Sequence, residues 1–187
     1  MRLYKLTDEN AQTHGGCQWG EGVTHSGTGE GEMCGPGWVH AYTDPLLAVL
    51  LNPIHANFAH PRLWEAEGDV AKTDHGLKVG CRSLTTIREI PLPEVSIEQR
   101  VRFAVLCAQR VCDDPAWTTW ADRWLSGEAR SEDTERAADA AAWAAWAADA
   151  AWAEAAWAWA AARAARTADL PLADIAREAV GGEPWAR

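Results

Sequence analysis

The chain has 187 residues, about half of them apolar, with 17 basic against 27 acidic side chains and a formal charge of −10. This length and apolar content allow a packed core, which excludes a chain that is disordered throughout. The acidic balance, without a cluster of basic residues, argues against nucleic acid as a partner. The start lacks the apolar run of a secretory signal and no later run is long enough to cross a bilayer, so we expect a cytoplasmic protein with no membrane partner. Five irregularly spaced cysteines predict reduced thiols rather than a disulfide framework.

The first half of the chain predicts a small mixed sheet with one helix. Alternating residues and β-formers predict strands at 2–7, 37–42, 62–70 and 77–91, the last range holding two segments, GLKVG and LTTIREIPLP. Glycines with polar neighbours predict a long loop over residues 8–36. After the second strand, Asp44 as N-cap and Pro45 at the first helical position predict a helix that Asn52 and Pro53 stop.

Two amphipathic helices are predicted next. Apolar residues at helical spacing follow Ser96, which with Gln99 forms the pattern of a capping box. A shorter helix begins at Asp114 and Pro115, and its tryptophans recur at i, i+3 and i+7, which predicts a core contact for Trp117, Trp120 and Trp124.

The composition then changes over residues 125–136 to an alanine-rich sequence with five of the chain's twelve tryptophans. Alanine is the strongest helix former, so we predict one long helix over about residues 132–167. At about 100° per residue its tryptophans fall on two opposed faces, Trp143, Trp146 and Trp157 on one and Trp152 and Trp159 on the other.

Two opposed aromatic faces need neighbours on both sides. We expect the tryptophan helix at 115–125 to cover the first face and a second copy of the chain to cover the second. The closing segment, residues 170–180, is the intramolecular alternative for that second face. The predicted fold is therefore α+β, with a small α/β domain at residues 1–95 and a helical region at 96–187.

Known chemical motifs are missing from the first half. Its histidines and cysteines include no C-x-x-C and no H-E-x-x-H spacing, so no metal site is predicted. The stretch GEGVTHSGTGEGE has neither the lysine of a P-loop nor a helix start after it.

A set of polar residues on the predicted strands remains as a candidate catalytic site. Alternation places His40 and Tyr42 on one face of their strand, and Glu65 and Glu67 on one face of theirs. The segments RLYKLT, GWVHAYT and LWEAEGDV together resemble the ADP-ribosyltransferase-like fold. The resemblance implies that His40 positions the nicotinamide ribose, Tyr42 stacks on the nicotinamide, one of the two glutamates orients the acceptor, and NAD is the cofactor. Without that resemblance the cofactor stays open.

A second group of residues is a candidate ligand-binding set. It comprises Tyr4 on the first strand and four residues of the glycine-rich loop, Gln18, Trp19, Glu21 and His25. A large aromatic residue in such a loop is either a lid over a ligand or a plug folded back on the domain, and both readings of Trp19 stay open.

The segments LYKLTDENAQTHGGCQWGEGVTH and GWVHAYTDPLLAVLLNPIHANF are similar to a family of bacteriophage and prophage accessory proteins, some with a similarly alanine-rich tail. The resemblance implies a viral setting in the host cytoplasm. Two functions follow as expectations. The first is a phage-type accessory protein that acts by binding or self-assembly through the alanine and tryptophan helix, as a homodimer or with a host or phage protein. The alternative is a nucleotide-binding or NAD-binding ADP-ribosyltransferase-like domain.

Overall fold

The computed structural model describes residues 1–128 and 156–181, and the chain divides into two compact units, Met1–Glu94 and Val95–Arg187. The first unit holds a sheet and the second holds helices. The α+β class predicted from the sequence is confirmed. Every strand pairing that is described is antiparallel, so the sheet does not mix strand directions.

The first unit contains seven described strands and one α-helix. The strands are β1 (Arg2–Thr7), β2 (Gln12–Thr13), β3 (Cys17–Gln18), β4 (Thr24–Ser26), β5 (Val39–Ala41), β6 (Arg62–Thr73) and β7 (Val79–Ile90). The helix α1 (Pro45–His55) follows β5 and contacts β1. The second unit contains α2 (Ile97–Gln109), α3 (Pro115–Ser126), α4 (Ala156–Thr167) and α5 (Leu172–Val180).

Four strands of the first unit close into a ring. β1 pairs with β6, β6 with β7, and β7 with β5. The residue after β5 completes the circle, because Tyr4 and Tyr42 exchange two backbone hydrogen bonds of 2.9 and 2.8 Å. Side chains of each strand therefore alternate between the inside and the outside of the ring.

The inside of the ring is filled by a small apolar cluster. Its buried members are Leu3, Trp19, Ala41, Ala66, Val79, Cys81 and Leu84. Gly68 of β6 lies at a register shift in the pairing with β7, and a Cβ there would come within 2.6 Å of the Ser83 carbonyl oxygen. The two strands approach so closely that only glycine fits at this position.

The predicted loop over residues 8–36 is wrong in part. It contains the two-stranded β2–β3 sheet and the strand β4, which pairs with β7 at Thr24–Thr85, His25–Leu84 and Ser26–Ser83. The short polar segment at 24–26 has no hydrophobic alternation, so it forms a strand only because β7 offers it an edge.

Two predicted boundaries also need correction. The two strand segments expected within residues 77–91 are one continuous strand, β7, because β5 and β4 pair side by side along the same edge of it. Helix α1 passes through Pro53 and ends at His55. Proline removes one helical N–H, but Ala56 still donates to the Asn52 carbonyl, so the last turn persists.

The predicted helix starts in the second unit are observed. Ser96 and Gln99 form the reciprocal capping box, with Gln99 N donating to Ser96 Oγ at 3.2 Å and Ser96 N to Gln99 Oε1 at 2.8 Å. Asp114 caps α3. The tryptophan stripe of α3 is only partly core, since Trp124 is buried while Trp117 and Trp120 are half-buried.

Helix α4 lies within the range predicted for the long alanine-rich helix and ends at Thr167, and the rest of that range, residues 132–155, lies outside the described residues. Trp143, Trp146 and Trp152 lie outside the described residues. Both α4 and α5 pack on α2, a neighbour that the sequence prediction did not include. Trp157 lies beneath the guanidinium of Arg100 in α2, with 5.0 Å between the Arg100 Cζ and the ring centre.

The close approach at Gly68 gives a stability prediction. Gly68→Ala should lower the free energy of unfolding by about 2 kcal/mol, because the new methyl group overlaps the Ser83 carbonyl and lies 2.9 Å from Leu84 Cδ1. Gly20→Ala is the matched control, since its Cβ would meet Val23 at an ordinary 3.5 Å. Chemical denaturation of both variants measures the difference, and equal stabilities would show that β6 and β7 can separate without cost.

Candidate functional site

His40, a predicted catalytic residue on β5, forms a side-chain hydrogen bond to the glycine-rich segment. Its Nε2 lies 2.5 Å from the carbonyl oxygen of Met33. A carbonyl only accepts, so the ring carries its proton on Nε2. Burial lowers the pKa of His40, and this outweighs the opposite effect of the Met33 hydrogen bond. His40 is therefore a neutral hydrogen-bond donor near pH 7.

Tyr42 is a buried side chain that faces α1. Its hydroxyl lies 3.1 Å from His55 Nδ1, and the two rings stack with 5.7 Å between their centres. Burial raises the pKa of Tyr42 well above its ordinary value, so the phenol stays protonated at any physiological pH.

The strand register aligns three of the predicted residues in one row outside the ring. Tyr4 is bridged to Tyr42 on one side and lies opposite Glu65 on the other. Burial is the main cause of a raised pKa at Tyr4. The structure thus brings together Tyr42, Tyr4 and Glu65.

The two candidate glutamates have different environments. Glu65 is only 12% exposed and pairs with both Arg2 and Arg88, each through its Nε at 2.8 Å. Glu67 is exposed and lies across from Arg2 in the register. Glu65, the carboxylate nearest Tyr4 and Tyr42, therefore forms ion pairs with two arginines.

The candidate ligand-binding residues of the glycine-rich segment separate into two environments. Trp19 is buried inside the ring, and its Nε1 donates to Thr13 Oγ1 at 3.0 Å. The Trp19 and His25 rings form an edge-to-face pair with 4.6 Å between their centres. The Gln18 amide binds backbone carbonyls of its own segment, and Glu21 points to solvent. Trp19 is therefore folded back into the domain as a plug and does not lie over a ligand site as a lid. It lies on the opposite side of the sheet from Tyr4.

Lys5 is a candidate functional residue that the sequence reasoning missed. It shares the inner face of β1 with Leu3, is buried, and donates from Nζ to the His40 carbonyl oxygen at 2.8 Å. The ammonium also lies 4.8 Å from the centre of the Trp19 ring. Burial lowers the pKa of Lys5 to about 8. The alternation in RLYKLT already places Lys5 with Leu3, but both faces of that strand carry apolar residues, so the pattern alone does not say which face is inside.

Metal and membrane sites have no support in the described part of the chain. Within residues 1–128 and 156–181, no group of three or more His, Cys, Asp or Glu side chains is arranged to hold a metal ion. No helix in these ranges is both long and apolar enough to span a bilayer.

Comparison of the chain with protein families, with curated proteins and with solved structures gives no significant match in any of the three.

The buried ammonium predicts an unusual pH dependence of stability. The pKa of Lys5 is about 8 in the folded chain against an ordinary 10.5, so folding releases a proton between these values. The contribution of Lys5 to the free energy of unfolding is therefore lowest below pH 8, and it rises as the pH approaches 10.5. We expect Lys5→Met to be about 2 kcal/mol more stable than wild type at pH 7, after allowing for the lost hydrogen bond to His40. This advantage should fall by about 1 kcal/mol by pH 9.

Urea unfolding at pH 7, 8 and 9 measures this change. Lys5→Arg is the matched control, because neither arginine nor methionine titrates in this range. The stability difference between the two variants should therefore stay constant. An advantage of Lys5→Met over wild type that does not change with pH would contradict the prediction.

Proposed function

We propose that this protein is a phage-type accessory protein that acts by binding, and that it self-associates through one face of its alanine and tryptophan helix. The observation that carries the proposal is the unequal exposure of two tryptophans in α4. Trp157 is 9% exposed, whereas Trp159, two positions later, is 38% exposed. The viral setting rests on the resemblance of the two N-terminal segments to phage and prophage proteins.

The exposed residues of α4 form a single stripe. Six alanines on the rest of the helix are 5% exposed or less, namely Ala158, Ala160, Ala161, Ala162, Ala164 and Ala165. Trp159, Arg163 and Arg166 are exposed at i, i+4 and i+7, so they lie along one side. Tryptophan and arginine are the residues most enriched at the energetic centres of protein interfaces. Covering the exposed part of Trp159 would contribute about 2 kcal/mol in each copy.

The engaged state of the polar residues in the first unit favours binding over catalysis. An acceptor-orienting glutamate needs a free carboxylate, but Glu65 holds two arginines. His40 is hydrogen-bonded to Met33, and Tyr42 faces His55. A catalytic role would have to break these contacts before substrate could meet the same atoms.

The occupant we propose for the Trp159 stripe is a second copy of the chain. A two-fold pair covers the same stripe on both copies at once, which is the commonest closed form of homo-oligomer. Wild type at micromolar concentration should therefore have the mass of a dimer by light scattering.

Trp159→Ser should convert the dimer to a monomer and leave the melting temperature nearly unchanged, since the side chain is already partly in water. Trp157→Ala on the same helix is the matched control. It should lower the free energy of unfolding by about 3 kcal/mol, because it empties a buried site beneath Arg100. A monomeric wild type would refute self-association, and a Trp159→Ser dimer would refute the choice of face.

Nucleotide binding by the first unit is the second candidate, and the row of Tyr42, Tyr4 and Glu65 favours it. Two aromatic rings and a carboxylate lie in register, and Arg2 and Arg88 beside them are 69% and 65% exposed. Tyr42 is buried against His55, so the half-buried Tyr4 ring is the one that can stack on a base or a nicotinamide, and the arginines suit phosphate.

Melting curves with saturating NAD test this candidate. If it is correct, NAD raises the melting temperature of wild type, as any ligand specific to the folded state does. Glu65→Gln should abolish the NAD-dependent shift, while the exposed neighbour Glu67→Gln retains it. No shift in wild type would exclude NAD as the ligand.

A further inference from the structure

The glycine-rich segment carries an exposed thiol that is in contact with a lysine amine. Lys78 Nζ donates to Cys34 Sγ across 3.3 Å, and the two residues are 44 positions apart in the chain. Lys78 lies in the turn directly before β7 and is half-buried, whereas Cys34 is exposed. The contact therefore joins the glycine-rich segment to the turn between β6 and β7.

The backbone next to Cys34 is held in place by hydrogen bonds from two strands. The Gly31 carbonyl oxygen accepts from Lys72 Nζ of β6 at 2.8 Å, and the Met33 carbonyl oxygen accepts from His40 Nε2 of β5 at 2.5 Å. Reacting atoms that a protein holds about 3 to 3.5 Å apart combine far faster than the same groups on separate molecules. The sulfur and the amine nitrogen have this separation.

Exposure distinguishes Cys34 from the other cysteines. Cys81 and Cys107 are buried, and Cys17 and Cys112 are half-buried. Peroxide oxidises an accessible thiol to a sulfenic acid, which then condenses with a nearby thiol or nitrogen. For Cys34 the nitrogen in contact with the sulfur is the Lys78 amine.

We propose that Cys34 and Lys78 are a redox-controlled modification site, at which hydrogen peroxide produces a sulfenamide bond between Sγ and Nζ. In the first step the O–O bond of the peroxide breaks, the thiol is oxidised to sulfenic acid, and the peroxide is reduced to water. Lys78 then releases its ammonium proton to solvent, and Nζ attacks Sγ. The S–N bond forms as the S–O bond breaks, and the oxygen leaves as water with one amine hydrogen.

The S–N bond is a reversible lock on the glycine-rich segment. In the oxidised chain it ties Cys34 covalently to the turn before β7, so the segment cannot leave the sheet at this point. A thiol reductant supplies two electrons and two protons, splits the bond and restores both side chains. This lock is separate from the proposed self-association, which uses the second unit.

Peptide mass spectrometry tests the proposal on the folded full-length chain. The protein is treated with hydrogen peroxide at pH 8, denatured, alkylated with N-ethylmaleimide and cut at acidic residues. We expect a pair of peptides joined through Cys34 and Lys78, lighter by two hydrogen atoms than the separate peptides and about 10-fold more abundant than after the same treatment in urea. Dithiothreitol should separate the pair, and Cys81, which lies near Lys78 in the sequence, should carry the maleimide.

Two lysine variants make the result decisive. Lys78→Arg keeps the positive charge but removes the primary amine, so it should abolish the joined pair. Lys72→Arg is the matched control, because Lys72 contacts the same segment at Gly31 and the joined pair should persist. A pair that survives Lys78→Arg, or that leaves Cys81 without maleimide, would be a disulfide and would overturn the proposal. An extra oxygen in the pair, or oxidation of Cys34 without joining, would overturn it as well.

Discussion

The backbone pair between Tyr4 and Tyr42 is the contact on which the first unit depends. Without it, β1 and β5 would be two edges of an open sheet, each with unpaired backbone groups. With it, four strands form a ring that has an inside and an outside. The side chains of Leu3 and Lys5 then lie inside the ring and that of Tyr4 lies outside it, because side chains alternate along β1. The same pair fixes the row that ends at Glu65.

The ring separates two polar environments by a single strand. Outside, the largely buried carboxylate of Glu65 balances two exposed arginines, Arg2 and Arg88. Inside, Lys5 has a carbonyl, an aromatic face and thiols. A charge so poorly compensated is costly, and cost of this kind is found more often at functional positions than elsewhere.

In the second unit, alanines allow helices to approach closely, and the two tryptophans of α4 have different environments. Six nearly inaccessible alanines on α4 leave little side-chain bulk, and α4 packs on α2. Trp157 fills the site beneath Arg100, whereas Trp159 projects on another side. One helix thus carries both an internal contact and the surface that we propose for a second copy.

The sequence by itself determined the local features. Asp44, Ser96 with Gln99, and Asp114 cap helices through contacts within a few residues, and the alternation of RLYKLT marks β1 wherever it pairs. Tertiary structure decided what depends on distant partners. β4 is a strand because β7 lies beside it, and Arg100 of α2 lies over the Trp157 ring. The convergence of Tyr42, Tyr4 and Glu65 needs a register across three strands, and the burial of Lys5 needs the closed ring. Local patterns set which residues share a face, but only the closure of the ring sets which face is inside.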